Sequence, residues 1–161
     1  MNIFTFTGWS GSGKTTLISK LINELSRRGW KVMGVKKVPE KFHLEPEGKD
    51  SRKFMEHGAK TVYLVAERQL MKMSSIVHPE DFFKLARKDV EEHDFVLIEG
   101  LTNKDDFIFE VYNPEISKNL KTDKNILNAV ISKDQDFKDI KWFNRDDIEN
   151  LANHLEILKN S

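Results

Sequence analysis

Apolar positions along the chain follow two rhythms. In NIFTFT (residues 2–7), β-branched and aromatic residues alternate, which predicts a strand. From Lys14 the spacing turns helical: Leu17, Ile18, Leu21, Ile22 and Leu25 share one face, and Gly29 supplies a stop. KVMGVKK (31–37) is a second strand. Strand, helix and strand in this order make a βαβ unit, which requires a parallel sheet and a right-handed crossover. VPEKFHLEPEGKD (38–50) has no period, and a connection of this length inside a compact domain is more often functional than idle. SRKFMEHG (51–58) predicts a short helix ending at Gly58. TVYLVA (61–66) and QLMKMSSIV (69–77) read as neighbouring strands.

PEDFFKLARKDVEEH (79–93) opens on proline with acids just inside, good chemistry for a helix N-terminus. DFVLIEG (94–100) has the unbroken apolar run of a central strand buried on both faces. FIFEVY (107–112) and LNAVIS (127–132) follow as strands. A last helix carries the stripe Ile148, Leu151, Ala152, Leu155 and Leu158, with Asn144 as its expected cap and Asp146 and Asp147 in its first turn. The pattern predicts an α/β fold, a single three-layer domain over residues 1–161 with a largely parallel sheet.

Composition narrows the chemistry. The 161 residues suffice for one packed domain and not for two ordinary ones. The 26 basic side chains cancel the 26 acidic ones, so nothing favours nucleic acid or an anionic membrane as the main partner. With no cysteine, disulfides, thiolate metal sites and cysteine nucleophiles are excluded. No apolar run approaches the about 20 residues that span a bilayer. The chain enters its first strand at once, without a basic segment and a long apolar stretch, so a cytoplasmic location is expected.

GWSGSGKT (8–15) fits G-x-x-x-x-G-K-[ST] without a mismatch, between a strand and a helix as the motif requires. This predicts a P-loop NTPase architecture. Gly8, Gly11, Ser12 and Gly13 let backbone N–H groups turn inward around a β-phosphate, at a helix N-terminus that already favours anions. Lys14 would reach the β- and γ-phosphates, the Thr15 hydroxyl would coordinate Mg²⁺, and Thr16 is placed for the α-phosphate. Glu99, at the end of FVLIE, stands where an acid holds Mg²⁺ through water or orients the attacking water. Asp50, in GKDS, is either a Mg²⁺ ligand on a segment that orders with the γ-phosphate or the N-cap of the helix at 51–57.

Other patterns carry less. NKDD (103–106) formally matches the guanine-reading N-K-x-D motif, but it follows Glu99 too closely to reach a base, and a polar turn explains it. The histidines at 43, 57, 78, 93 and 154 show no i, i+4 pairing, so they do not read as metal ligands. His43 draws attention because it lies in the long loop. Trp9, inside the phosphate loop, has three readings: packing on a partner, packing on a base, or covering the loop.

Taken together, FTGWSGSGKTTLISKLI, GKDSRKFMEHGA and DFVLIEG resemble the molybdopterin-guanine dinucleotide biosynthesis protein B (MobB) family in order and spacing, over about residues 2–131. The GKDS…GA element is the most discriminating. The resemblance implies a GTPase-like domain binding GTP with Mg²⁺, usually as a homodimer. It also implies a partner, a MobA-like nucleotidyltransferase that joins GMP to molybdopterin, and makes molybdopterin itself a candidate ligand. Weak GTP hydrolysis and an adaptor role come with it. Carried over by motif, Gly8, Gly11, Gly13, Lys14, Thr15 and Thr16 would bind phosphate, with Asp50 and Glu99 on the metal side.

Three departures stand out. KKVPEKFH keeps only His43 of a stretch often rich in histidine, Asn113 stands where the family often has arginine, and Trp9 replaces the early lysine of MinD-like relatives. The competing readings are a small-molecule kinase, a metallochaperone-type GTPase and a non-catalytic nucleotide sensor. Arginines are scattered without the cluster a kinase lid needs, and no internal arginine finger is apparent, so slow hydrolysis is expected.

Overall fold

A computed structural model of the chain describes residues 2–38, 50–102, 106–133, 137 and 139–161, with backbone alone at 50–52. His43, and Asn103, Lys104 and Asp105, over which the sequence predicts a polar turn, lie outside the described residues. The chain divides into two compact units, Met1–Lys37 with Phe83–Ser161, and Val38–Phe82.

The first unit opens with strand β1 (Ile3–Thr7), helix α1 (Lys14–Arg27) and strand β2 (Val32–Lys36). The second holds helix α2 (Asp50–Glu56) and the antiparallel strands β3 (Thr61–Val65) and β4 (Leu70–Ser74). Helix α3 (Asp81–Leu85) runs across the boundary. Helix α4 (Arg87–Glu91) and strands β5 (Phe95–Glu99), β6 (Phe107–Val111), β7 (Ala129–Ser132) and β8 (Trp142–Asn144) follow, and helix α5 (Ile148–Lys159) ends the chain.

Six strands form one sheet in the order β2-β5-β1-β6-β7-β8, every pair parallel. The α/β, parallel-sheet expectation holds. The βαβ unit skips one place, because β5 lies between β1 and β2 and pairs with both. Phe4 and Phe6 of β1 stand in register with Phe107 and Phe109 of β6, and the rings stack with centroids 5.3 and 5.6 Å apart. Phe4 also stacks on Phe95 of β5 at 5.5 Å. Fully burying each such ring contributes about 1.5–3 kcal/mol, which explains why these strands take the centre. The helical stripes of α1 (Leu17, Ile18, Leu21, Leu25) and α5 (Leu151, Ala152, Leu155) complete that core.

Structure and expectation part in four places. The predicted helix over 79–93 is two short helices separated at Ala86, whose φ of −98° and ψ of 13° leave the helical region. β8 is an additional strand, too short for a sequence period. The last helix is capped by Asp147, whose carboxylate accepts from Asn150 N at 3.2 Å. Asn144 belongs to β8, and its Oδ1 accepts from Asp146 N inside the preceding turn. Finally, β3 and β4 pair as expected but form their own two-stranded sheet.

Candidate functional site

The phosphate loop spans the gap between the carboxyl end of β1 and α1. Two glycines are required there. At Gly8 (φ +134°) a Cβ would run into the Val111 carbonyl at the end of β6. Gly13 (φ +97°) caps α1 in the left-handed conformation, with no side chain closing the cap and no acid in the first turn. No acid of α1 itself therefore opposes the positive partial charge of its amide end. Lys14 folds back onto the loop, its Nζ donating to Gly8 O at 3.1 Å and Trp9 O at 2.7 Å. Burial holds its ammonium below the usual lysine range; Glu99 opposes this, while Lys121 and Lys36 add to it. An anion among these cations would relieve their mutual repulsion. Ser12 is buried, and its hydroxyl has no partner among the described residues.

On one side of β1 lies an oxygen pair. Thr15 Oγ1 donates to Glu99 Oε2 at 2.7 Å. The β2–β5 register sets Lys36 opposite Glu99, and its Nζ lies 3.1 Å from Thr15 Oγ1 and 3.4 Å from Glu99 Oε2. A hydroxyl and a carboxylate are hard donors that suit Mg²⁺, and the Lys36 ammonium already rests on the pair as a positive charge. The donor set fits such an ion. Thr16 follows on the exposed face of the first turn. Asp50 is the first residue of α2 in the other unit, and its side chain lies outside the described residues.

The segment after β6 covers the loop. Asn113 starts it, accepting from Glu115 N on its side chain and from Ile116 N and Ser117 N on its carbonyl. The Trp9 indole donates to Asn119 O at 3.1 Å, and Lys121 Nζ stands 6.0 Å from the Trp9 ring centroid. Trp9 thus contacts the segment that covers the loop, while the residue stays 44% exposed. The segment is tied down by Glu110, fully buried on β6, whose two oxygens accept from Lys121 N at 2.6 Å and Thr122 N at 2.8 Å. Thr122 Oγ1 also donates to Thr7 Oγ1 at 3.0 Å. Asp106, just before β6, accepts from Thr5 Oγ1 of β1 at 2.8 Å.

Sequence reasoning missed Lys36, Glu110, Lys121 and Arg145. Only Glu110 left a signal, as a lone acid inside the apolar run FIFEVY. Arg145, which read as scattered, reaches the phosphate loop: its Nη1 lies 3.4 Å from where a Cβ on Gly13 would stand.

A family model described as molybdopterin guanine dinucleotide synthesis protein B matches residues 3–133. The chain is 33% identical over 157 residues to the molybdopterin-guanine dinucleotide biosynthesis adapter protein of Haemophilus influenzae, covering 92% of this chain and 88% of that protein. The Escherichia coli protein of the same name is 29% identical over 106 residues, 64% of this chain and 61% of its own length. Among solved structures, molybdopterin-guanine biosynthesis protein B superposes with a TM-score of 0.70 at 26% identity, covering 99% of each chain. Bacillus subtilis MobB superposes at 0.72 with 22% identity, over 99% of this chain and 98% of that one, a likeness of fold alone.

Proposed function

The chain belongs to the molybdopterin guanine dinucleotide synthesis protein B family, and we propose that it serves as a guanine-nucleotide-binding adaptor in making the guanine dinucleotide form of the molybdenum cofactor. The phosphate loop carries the nucleotide. Its backbone amides and Lys14 hold the phosphate chain, Thr15 and Glu99 hold Mg²⁺ at the terminal phosphates, and Thr16 lies at the α-phosphate. Mg²⁺ would supply charge neutralisation there. One observation carries this reading: the Thr15–Glu99 hydrogen bond of 2.7 Å, made at the end of a buried strand beside a motif-perfect phosphate loop. Asp50 is proposed as a further metal-side group.

The adaptor's partner is a nucleotidyltransferase that joins GMP to molybdopterin. Hydrolysis by the chain alone is slow, because Lys36 and Lys14 are the cations beside Glu99 and a partner is left to supply charge to the transition state. The functional unit is a homodimer. Tyr63, Val65 and Leu70 share one face of the β3–β4 hairpin and are 54%, 79% and 66% exposed. A two-stranded sheet is marginal by itself, and a second copy on that face would cover its apolar side chains.

The test is calorimetric titration with GTP, GDP and ATP in the presence of Mg²⁺, followed by phosphate release on the same sample. Guanine-selective binding with negligible release is expected. Preference for ATP, or release that rises when a small acceptor is added, would move the protein to the kinases.

A further inference from the structure

The six parallel strands end on one edge, and ligands of such sheets bind outside the carboxyl ends. β5 and β2, with Glu99 and Lys36, lie to one side of β1; β6, β7 and β8 lie to the other. A polyphosphate with its metal-bound end at Thr15 and Glu99 must therefore carry its nucleoside toward β6–β8. Arg145 enters from that side. It follows β8 directly, its backbone N–H donates to Ser132 O at 3.0 Å, and the turn is closed by Asn144 Oδ1 and the Asp147 cap. From this fixed base its guanidinium reaches the Gly13 cap of α1.

The placement is electrostatically adverse without an anion. The amide end of α1 is positive, its first turn holds no acid of its own, Lys14 is already there, and the nearby Glu99 carboxylate is engaged by Thr15 and Lys36. Among the described residues no carboxylate pairs with the Arg145 guanidinium, while Asp147 is committed to capping α5. A cation held at a positive helix end is costly unless a ligand supplies the missing negative charge.

We propose that Arg145 is the nucleoside-side anchor of the site, pairing its guanidinium with the α-phosphate of the bound nucleotide. The inference rests on the nucleotide reading above. It makes Arg145 a binding residue common to GTP and GDP, and distinguishes it from a finger that acts on the γ-phosphate. The α-phosphate is present in both nucleotides, and its contact does not depend on the metal.

The experiment is calorimetric titration of Arg145→Ala and Arg145→Lys with GTP and GDP, with Mg²⁺ and with EDTA, beside thermal unfolding of each protein without ligand. For Arg145→Ala we expect a loss of about tenfold in affinity, equal for both nucleotides and kept in EDTA, the size of one charge-assisted hydrogen bond. Arg145→Lys should recover part of it. The ligand-free Arg145→Ala protein should melt no lower than the parent, since an adverse charge has been removed. Unchanged affinity in Arg145→Ala, with the parent binding both nucleotides, overturns the inference and leaves the nucleotide reading standing. A loss confined to GTP, or a lowered melting temperature without ligand, overturns it too. Failure of the parent to bind either nucleotide defeats the reading and the inference together.

Discussion

Replacing Glu110 tests whether the cover over the phosphate loop is held by one buried carboxylate. Both oxygens accept backbone N–H groups, from Lys121 and Thr122, and the side chain is fully buried. Hydrogen bonds to a charged group contribute about 1.5–3 kcal/mol each, but Lys121 sits at the surface and its freed N–H regains water. Glu110→Ala should therefore cost about 3–4 kcal/mol in all, taking the lower part of that range for each bond and adding a small cavity. For a chain of this length each kcal/mol moves the melting temperature by about 2–4 °C, so a drop of roughly 6–16 °C is expected. Glu110→Gln keeps one acceptor and sets an amide NH₂ against the other N–H, so it should fall about midway, near 2 kcal/mol. Urea unfolding followed by far-UV circular dichroism reads these differences. A Glu110→Ala protein within about 1 kcal/mol of the parent would show that the segment is held by other contacts and that the reasoning is wrong.

Glu99→Gln should weaken GTP binding about tenfold in Mg²⁺ and leave affinity in EDTA unchanged; the same loss in both conditions would remove the metal role. His154 is buried against Phe143, and its Nδ1 accepts from Lys141 Nζ at 3.1 Å. Burial first, and the Lys141 charge second, lower its pKa below the usual 6.5. The folded state thus binds the proton less readily than the unfolded chain, so its contribution is complete above 6.5 and is lost as pH falls below it. The urea midpoint of the parent should drop between about pH 7.5 and 5.5, and His154→Gln should flatten that slope; a midpoint rising on acidification would contradict the sign. Val65→Glu together with Leu70→Glu should convert the proposed dimer to monomer in light scattering after gel filtration, and a parent already monomeric at high concentration would end the dimer proposal.

What could be read from the chain follows how local each signal is. The phosphate loop is a contiguous code: eight residues between a strand and a helix dictate their own backbone, so its place was legible. β5 was legible because a strand buried on both faces runs apolar without a break, and β1 and β6 because their β-branched and aromatic residues recur along short segments. β8 was not, since three residues between Lys141 and Arg145 hold no period. The cap of α5 went to Asp147 and not to Asn144 because β8 claims Asn144, a fact of pairing between strands that no local signal contains. Glu99 could be picked out as a strand end, whereas Lys36 beside it is a matter of β2–β5 register. Arg145 is the extreme case: 132 positions separate it from Gly13 in sequence, and only the sheet order brings them together.

That distribution bears on what the site can bind. Lys14, Lys36, Lys121 and Arg145 come from α1, β2, the segment after β6 and the turn after β8, yet all four gather around one phosphate loop. The whole chain balances 26 basic against 26 acidic side chains, so this local excess is not the visible part of a generally basic surface. A protein that follows a long polyanion needs an extended cationic track, and its affinity then comes from many released counterions. Here the charge is concentrated at one edge of one sheet, with the Glu99 carboxylate set among the cations. A compact anion with a metal-binding end would satisfy that pattern, whereas an extended one would leave Glu99 opposing its own ligand. The proposed nucleotide is an anion of the first kind, and its phosphate chain would meet the few opposed charges gathered here.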